Sequence, residues 1–152
     1  MEVPEMTVDE AMQRLGGVAE ARTLRRMTSR PQIRVALARG RLVRIARGRY
    51  ALPGAAEDRQ KANELSATLC LDSAARYFGW KLKWPPNTPA LAVRRKRHLG
   101  AEQRRGVRIV YVDLAAGDLS SDGWATSHVR TVMDCAARLP FDEALVIADS
   151  AI

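Results

Sequence analysis

Apolar side chains recur every three to four residues from Val8 to Leu37, and every second residue from Val43 onward. The first spacing lines one face of a helix and the second one face of a strand. In "TVDEAMQRLGG", Val8, Ala11, Met12 and Leu15 form a helical stripe. Thr7 followed by Glu10 supplies a capping box, and Gly16–Gly17 a stop. "VAEARTLRRM" predicts a second short helix with Ala21, Leu24 and Met27 inward. "TSRPQIRVALARG" predicts a third, with Ser29 as N-cap, Pro31 in the first turn and Gly40 at the end. In "LVRIARGRYAL", Val43, Ile45, Tyr50 and Leu52 alternate with Arg44, Ala46, Arg49 and Ala51 around an Arg47–Gly48 turn, which predicts a β-hairpin. Three short helices and a hairpin predict a winged helix-turn-helix over residues 1–53.

"PGAAED" then reads as a boundary. Residues 54–152 predict a small mixed α/β second domain, so the expected class is α+β. "EDRQKANELSATLC", "DSAARYFGW" and "SHVRTVMDCAARL" read as helices. "ALAV", "VRIVYVDL" and "DGWATS" read as strands, and "RRKRHLGAEQRRG" as a basic connection. A last helix runs from Phe141 to Ile152 without a C-cap, which reads as a chain cut short of a longer relative. Trp80, Trp84 and Trp124 are expected in the core or at a domain contact.

Charge sharpens this picture. The 152 residues carry a net +8, but residues 21–108 alone hold twenty-two basic side chains against five acidic ones. Both ends are acidic. Seven arginines lie between Thr28 and Pro53, and no carboxylate occurs between Glu20 and Glu57. A merely solvated surface mixes both signs to avoid self-repulsion. A one-sign segment fits a polyanionic partner. No apolar run approaches the ~20 residues of a membrane span, and the acidic N-terminus is unlike a signal peptide. A cytoplasmic protein without membrane contact is expected, with Cys70 and Cys135 as buried free thiols.

With Ile33 turned to the core, the third helix buries Ala36, Leu37 and Gly40 and presents Gln32, Arg34, Val35, Ala38 and Arg39. Arg matches guanine O6/N7, Gln matches adenine N6/N7, and Val or Ala touches thymine methyl groups. Arg30, Gln32, Arg34, Val35, Ala38 and Arg39 are therefore the expected base-reading residues of a helix in the major groove of double-stranded DNA. Ser29 at the helix start, Arg41, Arg44, Arg47 and Arg49 on the hairpin, and Arg22, Arg25 and Arg26 on the second helix are the expected phosphate contacts. A second basic cluster, Arg94 to Arg108, either extends this footprint or forms a solvated connection.

The chain offers little to catalysis. Two histidines do not make an ordinary metal site, and His98 stands among arginines. Ser127, His128 and Asp134 are too close in sequence for a triad, and Ser127 fits an N-cap. Arg130 and Asp134 fit an i, i+4 ion pair. No catalytic residue, metal ligand or cofactor is expected.

"GGVAEARTLRRMTSRPQIRVALARGRLVRIARGRYALP" resembles the winged-helix domain of the AbiEi-type antitoxins of type IV toxin–antitoxin systems, of the actinobacterial type. "CLDSAARYFGW" and "WATSHVRTVMDCAARLPFDEALVIADSAI" resemble two further segments of that family, in order. The resemblance implies an α+β protein that binds operator DNA, typically inverted repeats near its own promoter, and represses transcription. It also implies a functional link to a nucleotidyltransferase-like toxin without a stable complex; a dimer on DNA is one arrangement. Two positions depart from the family: Met27–Thr28 replace a turn glycine, and Leu71–Asp72 replace a Ser-His pair. Other readings are the DNA-targeting part of a Vsr-like nuclease, and a basic RNA-binding module.

Overall fold

Thr7 opens α1 (Val8–Arg14) as its sequence predicts: its backbone N–H donates to the Glu10 carboxylate at 3.0 Å, and its hydroxyl accepts from the Glu10 N–H at 3.2 Å. The computed structural model describes residues 6–15 and 17–152, so the stop expected at Gly16 lies outside the described residues, while Gly17 adopts φ 91°. Val8, Ala11 and Met12 are buried, with Leu15 packed against them.

The next segment departs from expectation. Val18–Glu20 is a strand, β1, and the helix α2 (Ala21–Met27) begins only afterwards. α3 (Arg30–Ala38), β2 (Val43–Ala46) and β3 (Arg49–Ala51) follow, and the three strands form an antiparallel sheet in the order β1-β3-β2. Residues opposite each other in antiparallel strands share a face. Ala51 pairs with both Val18 and Val43, and Tyr50 with Ala19 and Arg44. The expected grouping of Val43 with Tyr50 on one face is therefore wrong, and so is the outward placing of Ala51, which is fully buried. A register shift at Ile45 and burial of both faces are the reasons. Ala19, Tyr50 and Leu52 pack towards Met12, Leu24, Ile33 and Leu42 of the helical side. Val18 and Ala51 pack against Ala55 on the other.

Ala55 belongs to α4 (Pro53–Glu64), so the expected boundary "PGAAED" is the start of a helix; Pro53 fits its first turn, where no N–H is needed. The helix expected to run on to Cys70 stops at Glu64, and Thr68–Leu69 is the strand β4. Then come α5 (Leu71–Tyr77), β5 (Ala90–Val93), α6 (Ala101–Arg104), β6 (Arg108–Tyr111), a 3-10 turn (Ala116–Asp118), α7 (His128–Arg138) and α8 (Phe141–Ala151). β5 lies between β4, antiparallel, and β6, parallel. "DGWATS" makes only isolated bridges, Leu69 to Ala125 and Leu119 to Thr126. The class is α+β.

The second half closes around Leu71, Ala75, Trp80, Ala90, Ala92 and Ile147, with Cys70 and Cys135 buried and free as expected. Burial pushes the Cys135 thiol up to about 12. Trp84, expected inside, is 63% exposed. Gly79 seals the junction of the two halves. At φ 77° it lies so close to β1 that a Cβ there would stand 2.5 Å from Leu15 O and 2.8 Å from Val18 O. Among the described residues, no helix is long and apolar enough to cross a membrane.

Candidate nucleic-acid interface

α3 stands on a turn built without glycine. Thr28 is buried in an extended conformation (φ −144°), and its hydroxyl donates to the Gln32 side-chain carbonyl at 3.0 Å. The Gln32 N–H donates to Ser29 Oγ at 3.4 Å, which caps the helix. The departure at Met27–Thr28 is thus met by a hydroxyl bridge across the turn, and no positive φ is required. Both residues are partly committed: Ser29 Oγ to the cap and the Gln32 carbonyl to Thr28, leaving the Gln32 amide N–H groups as donors.

Ile33 and Ala36 of α3 are buried, and Leu37 packs on them. Arg30, Arg34, Ala38 and Arg39 are exposed, and Val35 is 41% exposed. Gly40, expected on the core side, is exposed and ends the helix at φ 70°. The N-terminal turn of α3 adds the partial positive charge of its free amides beside Arg30.

Two shallow grooves flank this face. One of about 420 Å³, between α2, α3 and β3, is lined by Arg25, Arg30, Arg34 and Tyr50. The other, about 490 Å³, runs from α2 to the hairpin tip and is lined among the described residues by Arg22, Arg25, Arg47, Arg49 and one carboxylate, Glu20. Arg25 belongs to both, so the basic surface is continuous. Among the described residues, Arg22, Arg25, Arg26, Arg30, Arg34, Arg39, Arg44 and Arg47 form no ion pair. Parallel unpaired cations repel, and an external anion relieves that repulsion.

Two expected phosphate contacts are otherwise engaged. Arg41 pairs with Asp9 at 3.1 Å, both about half exposed. Arg49 starts β3 beside the hairpin tip, but its side chain turns away from the turn. Its guanidinium donates to Tyr77 O at 2.9 Å and lies 4.6 Å from the Tyr77 ring centre, reaching into the second half of the chain. Tyr77 in turn bonds Asp122 through its hydroxyl, and burial together with that bond pushes the phenol up to about 12.

The polar surface beside the hairpin continues onto α4, which the sequence reading did not single out. Arg59, Gln60 and Asn63 of α4 line a groove of about 350 Å³ with Arg44 and Trp124, and the Arg59 guanidinium lies 4.1 Å over the Trp124 ring. The only signal in the sequence is the i, i+4 spacing of Arg59 and Asn63.

The second basic cluster divides. Arg97 donates to the carbonyls of Leu65 and Ser66, Arg108 to Asp72 at 2.6 Å and Thr88 O at 2.9 Å, and Arg105 lies 3.4 Å from Glu102. Arg94, Arg95, Lys96, His98 and Arg104 are exposed. Asp72 therefore holds Arg108 at the position where the resemblance carries a histidine. Ser127 Oγ accepts from the Arg130 N–H at 3.2 Å, Asp134 binds Arg130 Nε at 2.9 Å, and the His128 ring packs 4.2 Å from that of Phe78. No hydrogen bond among the described residues links Ser127, His128 and Asp134. Comparison with known protein families and with curated proteins finds no match to this chain.

Proposed function

We propose that the chain is a sequence-specific double-stranded DNA-binding protein, in which α1–α3 and the β1–β3 sheet act as a winged helix-turn-helix. The observation that carries this reading is the outward face of α3. Arg30, Arg34, Val35, Ala38 and Arg39 stand exposed on a helix whose opposite side is core, inside a continuous surface of arginines that form no ion pair among the described residues. A helix about 10–12 Å across fits a major groove about 12 Å wide.

In this reading Arg30, Arg34 and Arg39 address guanine, the free Gln32 amide addresses a base acceptor, and Val35 and Ala38 meet thymine methyl groups. Arg22, Arg25, Arg26, Arg44 and Arg47 hold phosphates, and Ser29 orients the helix end towards one. Arg41 joins them by leaving Asp9, a trade that costs little because an exposed ion pair is worth about 0–1 kcal/mol. Arg49 positions the hairpin instead of touching DNA.

The biological role proposed is operator occupancy without catalysis: a cytoplasmic transcriptional repressor of the type IV antitoxin kind, acting near its own promoter. The three sequence segments that resemble AbiEi-type antitoxins support that part. The test is a salt-titrated binding assay against the chain's own upstream region, a scrambled duplex and a structured RNA. Five to seven phosphate contacts give a log–log salt slope of about −5. Tighter binding to the upstream duplex is expected; a slope near zero, or preference for RNA, rejects the reading.

A further inference from the structure

A cavity of about 730 Å³ opens where the C-terminal end of α1 and Gly17, Leu52 and the first turn of α4, Arg76 of α5 with the segment after it, and α8 meet. This volume falls within the ~300–1,000 Å³ of small-molecule sites. Leu52, Leu82 and Val146 give it apolar walls, and its charged lining groups among the described residues are Arg14, Arg76 and Lys81. Gly54 and Ala55 of α4 also face it. Their N–H groups belong to a first turn that has no intrahelical acceptors, and Leu52 provides no side-chain cap.

Arg76 is the most buried of these three cations. Its side chain is 12% exposed, and its ion pair with Asp58 is a loose one. Nη2 donates to Pro86 O at 3.1 Å, and Nε stands 3.8 Å from Asp58 Oδ2, beyond hydrogen-bond reach. That carboxylate oxygen is buried with no hydrogen-bond partner. Nη1 lies over the start of α4, 3.1 Å from where a Gly54 Cβ would stand. A buried guanidinium whose carboxylate partner stands beyond hydrogen-bond reach, beside free amides and apolar walls, suits an anion with an apolar body.

We propose that this cavity binds a small organic carboxylate carrying an aliphatic chain or aromatic ring. Arg76 and the α4 amides receive the carboxylate, Arg14 and Lys81 guard the mouth, and Leu52, Leu82 and Val146 enclose the apolar part. The proposal stands independently of DNA binding.

The test is calorimetric titration of the full chain with octanoate and 2-naphthoate, against the neutral probes octanol and 2-naphthol. At least one carboxylate is expected to bind one-to-one, at least tenfold more tightly than its neutral counterpart. Arg14→Glu combined with Lys81→Glu, both at exposed positions, is expected to weaken it tenfold or more with an unchanged melting temperature. Val146→Trp fills the cavity and is expected to abolish binding. Absence of saturable heat for both carboxylates up to about 10 mM, equal affinity for the neutral probes, or wild-type affinity in the double charge variant overturns the proposal.

Discussion

Arg34 and Arg47 carry the same guanidinium but stand in different places, one on the outward face of α3 and the other at the hairpin tip. A bidentate contact to a base is worth ~1–3 kcal/mol of discrimination, whereas a phosphate contact is indifferent to sequence. Arg34→Ala is expected to cost that amount on operator relative to random duplex. Arg47→Ala is expected to weaken both alike and flatten the salt slope by about one unit. Competitive binding at several salt concentrations checks both; equal losses on every sequence for the two variants would remove the base-reading role. Asp58 gives a second residue-scale expectation. Burial, only partly offset by Arg76, pushes its carboxyl up to about 6. The folded chain then keeps a proton that the unfolded chain releases near pH 4. Stability is therefore greatest below that value and falls as pH rises through the folded value near 6, by at most about 1.4 kcal/mol per pH unit. Asp58→Asn is expected to flatten this slope, as read from denaturant unfolding between about pH 4 and 7.

Elements in this chain are held by their ends as much as by their faces. Ser29 caps α3, and Ser29→Ala is expected to cost about 1 kcal/mol, checked by thermal unfolding. Gly79 ends α5 where only a bare Cα fits between the backbone oxygens of Leu15 and Val18. Gly79→Ala combines a left-handed φ with a backbone collision, and a loss of about 3 kcal/mol is expected. Caps and stops of this kind are written in neighbouring residues, which is why α1, α3 and α7 are legible in the sequence. β1 is not. Its three residues become a strand only because Val18 and Ala19 pair with Ala51 and Tyr50, more than thirty positions later. Nothing local separates "VAE" from the helix that follows it.

Across the whole molecule the two halves meet on the β1-β3-β2 sheet. Its second face is covered by α4 through Ala55, the Arg49 guanidinium reaches Tyr77, and Gly79 abuts β1. Such packing couples the halves into one unfolding unit. The three tryptophans all lie beyond residue 53, at positions 80, 84 and 124, so their fluorescence reports mainly on the second half. Far-ultraviolet circular dichroism reports on both. The two probes are expected to give the same denaturation midpoint, and Arg49→Met is expected to separate them. A wild-type chain with two distinct midpoints would show that the halves fold independently.

The sequence alone determined the caps, the outward face of α3, the concentration of arginine between the two acidic ends, and the buried thiols. Each follows from spacing or composition within a few turns of chain. Tertiary structure decided the third strand, the helix that begins at Pro53, and the burial of Ala51. It also decided which arginines remain unpaired. Arg49 and Arg44 alternate identically in the sequence, yet one is drawn to Tyr77 and the other left exposed. Alternation fixes only which face of a strand a side chain leaves from; what waits on that face is set by residues distant in the chain.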